Sequence, residues 1–575
     1  MGFHLKKSIR VILAGSILLA MVLGMFPANV TKVNAASDAV INLSTEYQEI
    51  KGFGGMNHPS WAGDLTASQR ETAFGNDDNE LGFSVLRIFI DSNSNNWYKE
   101  VATAKAAIAK GAIVFATPWN PPSDMVETFN RNGDTSAKRL KHDRYADYAQ
   151  HLNNFVTYMK NNGVDLYAIS MANEPDYGHD WTWWTSDEIV TFLKSYAGAI
   201  NCRLIAPESF SYNKSMSDPI LNNSQALANV DIIGTHLYGT SFSNFAYPLF
   251  QQKGSGKQLW MTEVYYPNST SSADKWPEAL DVSEHIHNAM VNNLQTYVWW
   301  YIRRSYSPMK EDGTISKRGY CMAQYSKFIR RGYKRVSATV NPNTDVYVSA
   351  YTGDGKAVIV AVNKGSSGTS QLFTVNGQTV SSVDRYRTSE NENLAKTSNL
   401  ALTGNGFWAY LPSNSVSTFV CTLKPSTGSK VTLGDGWYYI KNPASGKYLQ
   451  VAGNTGTAGQ NVEAAAKTGV AGQKWYLSNL DNGYFTLTSG LGSFMLDVSG
   501  GGTNDNTNIG IYHGYSGTAQ QFFCKASSTI GRYGVMTRVT NGNSGLHLRV
   551  FDNTNVVQNA YWEGTNQVWE FEAIK

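Results

Sequence analysis

Ala168-Ile169-Ser170-Met171-Ala172-Asn173-Glu174-Pro175-Asp176 is the stretch whose reading decides the fold. It opens as an apolar strand, with Leu166, Ala168, Ile169 and Met171 following the turn residues Asn161-Asn162-Gly163. Pro175 ends the ladder because it has no N–H to donate. The polar pair Asn173-Glu174 is left at the strand's carboxyl end, the face of a (β/α)8 barrel that carries chemistry. The plainer alternative is a polar residue leaving a strand. A second segment of the same design weighs against it: Gln258-Leu259-Trp260-Met261-Thr262-Glu263-Val264 is again a short apolar strand ending in a glutamate. Two carboxylates on two strand ends of one barrel can flank a glycosidic bond, one protonating the leaving oxygen and the other attacking the anomeric carbon. A separation of about 5–5.5 Å gives retention and a wider gap inversion.

Outward from these two strands, short apolar runs alternate with amphipathic helical stretches, the signature of βα units around a parallel sheet. Eight candidate strands lie at Gly52–Met56, Ser84–Ile90, Ala112–Thr117, Leu166–Met171, Arg203–Ala206, Asp231–His236, Gln258–Thr262 and Thr296–Tyr301. The expected fold class is α/β: a (β/α)8 TIM barrel over residues 51–330. Aromatic residues stand in the loops after six or more strands: Trp61, Trp119, Tyr177, Trp181, Tyr238, Tyr265, Trp300 and Tyr301. Ring faces match the apolar C–H faces of a pyranose, so these residues suggest a lined sugar cleft, with core support as the alternative.

Beyond Arg330 the period changes to two, and an attached β-sandwich is expected over 331–423, completed by an N-terminal strand in 36–50. A linker over 424–434, rich in Pro, Ser, Thr and Gly near its start, leads to an all-β trefoil over 435–575. Three units of about 45 residues end in Gln473-Lys474-Trp475, Gln521-Phe522-Phe523 and Gln567-Val568-Trp569. None buries its own apolar face, so three should close around one axis.

Residues 1–35 read as a signal peptide: Lys6, Lys7 and Arg10 precede an apolar run too short to span a bilayer, and Val33-Asn34-Ala35 suits cleavage. Secretion follows, with no membrane association. The formal charge is +3. The leader's four cations (Lys6, Lys7, Arg10, Lys32) account for it, and taking them away leaves the rest of the chain at −1. Composition therefore gives no case for nucleic acid as a partner. Cys202, Cys321, Cys421 and Cys524 have no metal-ligand spacing and fall in three structural units, so free, mostly buried thiols are expected. No motif implies a cofactor or a metal, and His236, His285 and His287 read as hydrogen-bonding residues.

The motifs GFGGMNHPSWAGDLT, ATPWNPPSDM, NEPDY, GTHLYG, WMTEVYYPN and YVWWYIRRSY closely resemble those of glycoside hydrolase family 30, within it the secreted bacterial glucuronoxylanases. The resemblance runs from about Ala39 to Cys421. It implies a retaining endo-1,4-β-xylanase acting on glucuronoxylan, with Glu174 as acid/base and Glu263 as nucleophile; a monomer is expected. It implies that Arg304 pairs with a glucuronate carboxylate beside Tyr306, Tyr301, Trp300, Tyr265 and Ser272, and that Asn173 belongs to the substrate cleft. A guanidinium fork suits a carboxylate; a structural ion pair at a strand end is the alternative for Arg304. One departure is Ala172, where such enzymes are expected to carry glutamine. The repeats resemble a ricin-B type β-trefoil, carbohydrate-binding module family 13. That implies a ligand among plant cell-wall sugars, with one plausible site at Asp497, Tyr512 and Gln521. Gln450 and Arg549 stand at the Asp position of the outer repeats. The alternatives left open are a family member without glucuronate dependence, either a plain xylanase or a β-1,6-glucanase, and a carbohydrate-binding protein without catalysis.

Overall fold

In a computed structural model, described for residues 37–424, 428, 430–515, 517–539, 545–560 and 564–574, eight parallel strands close into a barrel. They are Gly52–Met56, Val85–Ile90, Ile113–Pro118, Ala168–Ser170, Arg203–Ser209, Ile232–His236, Gln258–Val264 and Thr296–Trp299. All eight are those the sequence suggests, with some ends moved by up to three residues. The leader at 1–35 lies outside the described residues. Among the described residues no helix is long and apolar enough to cross a membrane.

Barrel strands are buried on both faces, which is why they read as apolar runs and not as alternation. Val85, Phe115, Ile205 and Trp260 fill the barrel interior, while Leu86, Ile88, Val114 and Ile233 belong to the larger core shared with the helices. Gly54 lets the first two strands approach closely: a Cβ there would stand 1.7 Å from the Val85 carbonyl oxygen. Helix Tyr145–Asn161 buries Tyr148, Leu152, Phe155 and Met159, one apolar face at helical spacing. Helix Ser186–Ser195 starts in a capping box, Thr185 and Glu188 each accepting the other's backbone N–H. A hairpin, Val126–Arg131 with Asp134–Leu140, follows the third barrel strand. Sequence reading missed it because its strands carry mostly polar, half-exposed residues.

Ten strands form the side sheet, and the first of them in sequence, Ala39–Glu49, pairs with Lys334–Ala338 and Thr369–Asn376. The sheet folds over on itself as a sandwich: Phe373 and Phe407, near one end of the strand order, pack at 4.9 and 5.0 Å on Phe419 of the other half. Strand Lys356–Asn363 joins this sandwich to the barrel by period two. Ala357, Ile359 and Ala361 enter the sandwich core, and Val358, Val360 and Val362 enter the barrel–helix core. All four thiols are free, and Cys321, Cys421 and Cys524 are buried.

The C-terminal repeats surround one apolar core in which Leu449, Leu496 and Leu548 are equivalent. Beside this core the three repeats are tied by half-buried amides: Asn508 donates to Asn461 (2.8 Å), Asn461 to Asn555 (2.9 Å) and Asn555 to Asn508 (2.9 Å), a closed ring. Gln473, Gln520 and Gln567 are fully buried, and each donates to a carbonyl seven residues back, at Ala466, His513 and Ala560. This corrects the middle repeat. Its equivalent glutamine is Gln520 and its core aromatic Phe522, where Gln521 and Phe523 were expected. Two adjacent glutamines and two adjacent phenylalanines make the register ambiguous in the sequence, and only the buried hydrogen bond resolves it.

Candidate active site

Alternation along a strand decides which side chains enter the barrel. On the second strand Val85 lies in the interior cluster, so Arg87 two residues on also points inward. On the seventh, Trp260 is interior, and strict alternation would send Glu263 outward. A register shift between Met261 and Glu263 re-aims it. The fifth strand repeats the device, with a shift between Pro207 and Ser209 that turns in Glu208. Glu174 and Glu208 both hold left-handed backbone, φ 43° and 58°. Conformations of this kind cost about 1–3 kcal/mol and persist where surrounding structure imposes them.

One carboxylate oxygen of Glu174 and one of Glu263 lie within 4.8 Å of each other. Glu263 is held from both sides, accepting a hydrogen bond from Tyr238 Oη at 2.9 Å and pairing with the Arg87 guanidinium. Arg87 also donates to Asn173 Oδ1 at 2.8 Å and meets Glu208 at 3.3 Å. Glu174 Oε1 is 2.8 Å from His236 Nδ1. Burial raises the Glu174 carboxyl above its usual range, with His236 opposing. His236 is fully buried, which works against its charge, yet the Glu263 charge, the hydrogen bond to Glu174 and the nearby Glu208 carboxylate push it up to about 9. Burial likewise opposes the charge on Glu208, and the Arg87 and His236 cations pull it down to about 2. Glu174, His236 and Glu263 have the spacing of a cation site. Their ligating atoms are already committed to one another, to Arg87 and to Tyr238, so the group reads as a carboxylate pair and not as a metal centre.

Two aromatic groups converge on this centre. In the first, the buried His58 ring stacks on Trp61 at 4.0 Å and on Phe89 at 4.3 Å, and Trp119 lies 5.5 Å from Trp61 and 5.8 Å from Trp300. Burial, with Arg87 and Arg304 nearby, takes His58 down to about 3, so this ring is neutral. The second runs from the exposed Tyr177 through Phe210 (4.3 Å) to Tyr238 (5.4 Å), Tyr265 (5.6 Å) and Tyr306 (4.9 Å). Trp181 Nε1 donates to the Glu174 carbonyl at 3.2 Å. Arg304 lies 5.0 Å over the Tyr301 ring, donates to the Trp61 carbonyl at 3.1 Å and sits 3.4 Å from the exposed Glu311. Ser272 is exposed, and its hydroxyl accepts the Asp274 N–H at 3.2 Å. The neighbouring Ala273 bonds Ser305, so this loop lies beside the Arg304 turn while the hydroxyl is spent locally.

Sequence reasoning missed Arg87, Glu208, His58, Phe89 and Phe210. Arg87 had a signal, a cation in the otherwise apolar run Val85-Leu86-Arg87-Ile88-Phe89-Ile90. Glu208 had one too, since Ala206-Pro207-Glu208 repeats the strand-end glutamate design.

In the trefoil, Asp497 and Tyr512 come from paired strands of the middle repeat. Burial raises the Asp497 carboxyl, opposed by hydrogen bonds from Gln520 and Tyr515. Tyr512 and Tyr515 are exposed. Gln521, expected here, accepts instead from Asn482 at 3.2 Å and from Arg538.

An eight-stranded parallel barrel that raises two close glutamates on separate strand ends defines a glycoside hydrolase. Over 419 residues the chain is 67% identical to glucuronoxylanase XynC of Bacillus subtilis (strain 168), spanning 72% of this chain and 99% of that one. The chain belongs to glycoside hydrolase family 30. The family 30 endoxylanase of Clostridium papyrosolvens C71 superposes with a TM-score of 0.64 at 49% identity, covering 67% of this chain and all of that one. The subfamily 8 xylanase of Clostridium acetobutylicum does so at 0.61 and 39%, covering 67% and 99%. A family model described as ricin-type beta-trefoil lectin domain-like matches residues 427–512.

Proposed function

We propose that this enzyme is an extracellular endo-1,4-β-xylanase that cleaves glucuronoxylan with retention, Glu263 attacking the anomeric carbon and Glu174 protonating the leaving oxygen. The observation that carries the reading is that one carboxylate oxygen of Glu174 lies within 4.8 Å of one of Glu263, a closeness that suits the retaining spacing of about 5–5.5 Å between carboxyl groups and not the wider inverting gap. Arg87 and Tyr238 fix the Glu263 oxygens, so attack needs little reorientation. Once the glycosyl–enzyme ester forms, Glu174 is a carboxylate and takes the proton of the incoming water. His236 holds Glu174 through both steps. The relative's name, glucuronoxylanase, supports the substrate, and the leader at 1–35 supports export.

Arg304 is the residue that reads the glucuronate branch. Its guanidinium is held by backbone carbonyls and the Tyr301 ring, while the carboxylate nearest to it, Glu311, is exposed and distant enough to be displaced. Charge-assisted hydrogen bonds contribute about 1.5–3 kcal/mol, which is roughly ten- to two-hundred-fold in rate. Arg304→Ala is expected to lower kcat/KM on glucuronoxylan by that factor and to change unbranched xylan far less. Arg304→Lys should recover only part of the loss. The same contacts favour a second reading, Arg304 as a brace for the Trp61 loop. An equal loss on both polymers would select it, together with the plain xylanase.

The trefoil holds the enzyme on plant cell-wall polysaccharide through Asp497 and the exposed Tyr512, with the buried Gln520 hydrogen-bonded to Asp497. Truncation after Lys424 is expected to leave turnover of soluble glucuronoxylan within about two-fold and to weaken retention on insoluble xylan. Pull-down on insoluble polymer beside a soluble assay measures both, and failure of the truncated chain to fold would reject the trefoil as a separate unit.

A further inference from the structure

We infer that Glu208, a fully buried carboxylate that reaches no substrate, is a positioning residue: its negative charge keeps the proton shared by Glu174 and His236 on the enzyme up through alkaline pH. The inference rests on the roles proposed above for Glu174 and Glu263. Glu208 stands in the barrel interior with no exposed surface. Its carboxylate faces two cations, and each of these touches one of the two catalytic glutamates. Arg87 lies 3.3 Å from Glu208 and pairs with Glu263. His236 Nε2 lies 3.8 Å from Glu208, and His236 Nδ1 lies 2.8 Å from Glu174. Thr117 Oγ1 donates to Glu208 at 3.0 Å and keeps the carboxylate in place. Left-handed backbone at Glu208 and the register shift beside it point this side chain inward where alternation would not.

His236 is faced from every side by named groups. Glu174 follows the fourth strand, Glu208 lies on the fifth, and Tyr238 is the next inward position on its own chain. Glu263 on the seventh strand is 4.0 Å from Nδ1, and Arg87 on the second approaches through Glu208. Three carboxylates thus surround two cations, and the Glu174–His236 pair carries the mobile proton. His236 Nε2 has no hydrogen-bond partner, so the Glu208 charge reaches it across 3.8 Å of buried space. A carboxylate at that range favours the protonated pair. Removing the charge while keeping the shape makes the proton easier to lose, so the alkaline limb of activity must move to lower pH. The upward push on His236 has the same sign.

The test is the pH profile of kcat/KM on soluble glucuronoxylan for the full chain and for Glu208→Gln. Glu208→Gln is expected to move the alkaline limb down by about one pH unit or more, with KM changed little. Glu208→Asp, which keeps the charge one methylene further back, should fall between the two. A folded Glu208→Gln whose limbs overlay the wild type, at whatever rate, would overturn the inference. If Glu208→Gln does not fold, nitrogen-15 titration of the histidines in the wild-type chain decides, with His236 assigned by its loss in His236→Gln. An imidazolium that persists above pH 7 is expected, and a neutral His236 there would sink the inference. That readout needs no turnover, so it fails or succeeds independently of the Glu174 and Glu263 assignments.

Discussion

Glu263→Gln is expected to lower kcat/KM on glucuronoxylan by about 10⁴-fold or more and to form no covalent sugar intermediate. An amide is a far poorer nucleophile than a carboxylate. The substitution keeps the shape of the site, because Gln can still accept from Tyr238 while Arg87 retains Glu208. Intact-mass analysis after exposure to a 2-fluoro xyloside of a good leaving group separates the proteins: wild type gains one glycosyl unit and Glu263→Gln none. Turnover within about ten-fold of wild type would remove Glu263 from the nucleophile's role.

Glu174→Ala should divide substrates by their leaving groups. General acid catalysis contributes about 10²–10⁴-fold, and a xylose hydroxyl needs all of it, whereas an activated phenolate leaves without a proton. Loss on glucuronoxylan is therefore expected to approach the upper part of that range, with far less loss in the first step on a nitrophenyl xyloside. Azide needs no base, so it should restore turnover in Glu174→Ala and give an azide of retained β configuration. Equal losses on both substrates, with no effect of azide, would assign the proton transfer elsewhere. His236, left with Glu208 and Glu263 as neighbours, still has carboxylates to offset its charge in this variant.

Both glutamates were legible because each ends an apolar strand, and the end of a strand is something a sequence displays. Arg87 and Glu208 carry comparable weight in the site and were passed over, for two different physical reasons. Arg87 lies mid-strand, where its charge is tolerable only because Glu263, Glu208 and Asn173 arrive from three other strands. Partners that distant in sequence are invisible until the barrel closes. Glu208 was hidden by a register shift, since a strand taken to end at Ala206 leaves it in a loop. The barrel itself was readable for the opposite reason: its strands are buried on both faces, and continuous apolar runs announce that. The hairpin at Val126–Leu140 and the Gln520 register were not, because half-exposed strands and doubled residues carry little periodic signal.

Asn461, Asn508 and Asn555 each give one amide hydrogen and take one, so the ring has no spare member. A chain shortened by one repeat would leave a donor and an acceptor of the ring unpaired and would open the shared apolar core, which no repeat closes alone. The lectin-like part can therefore be inherited, shuffled or discarded only as a set of three. A nick inside a repeat should lead to complete digestion of the part, whereas a nick in the expected linker at 424–434 should release it intact. Proteolysis at that linker is then expected to have a default pair of products: a catalytic part freed of its lectin-like attachment, beside an intact three-repeat fragment.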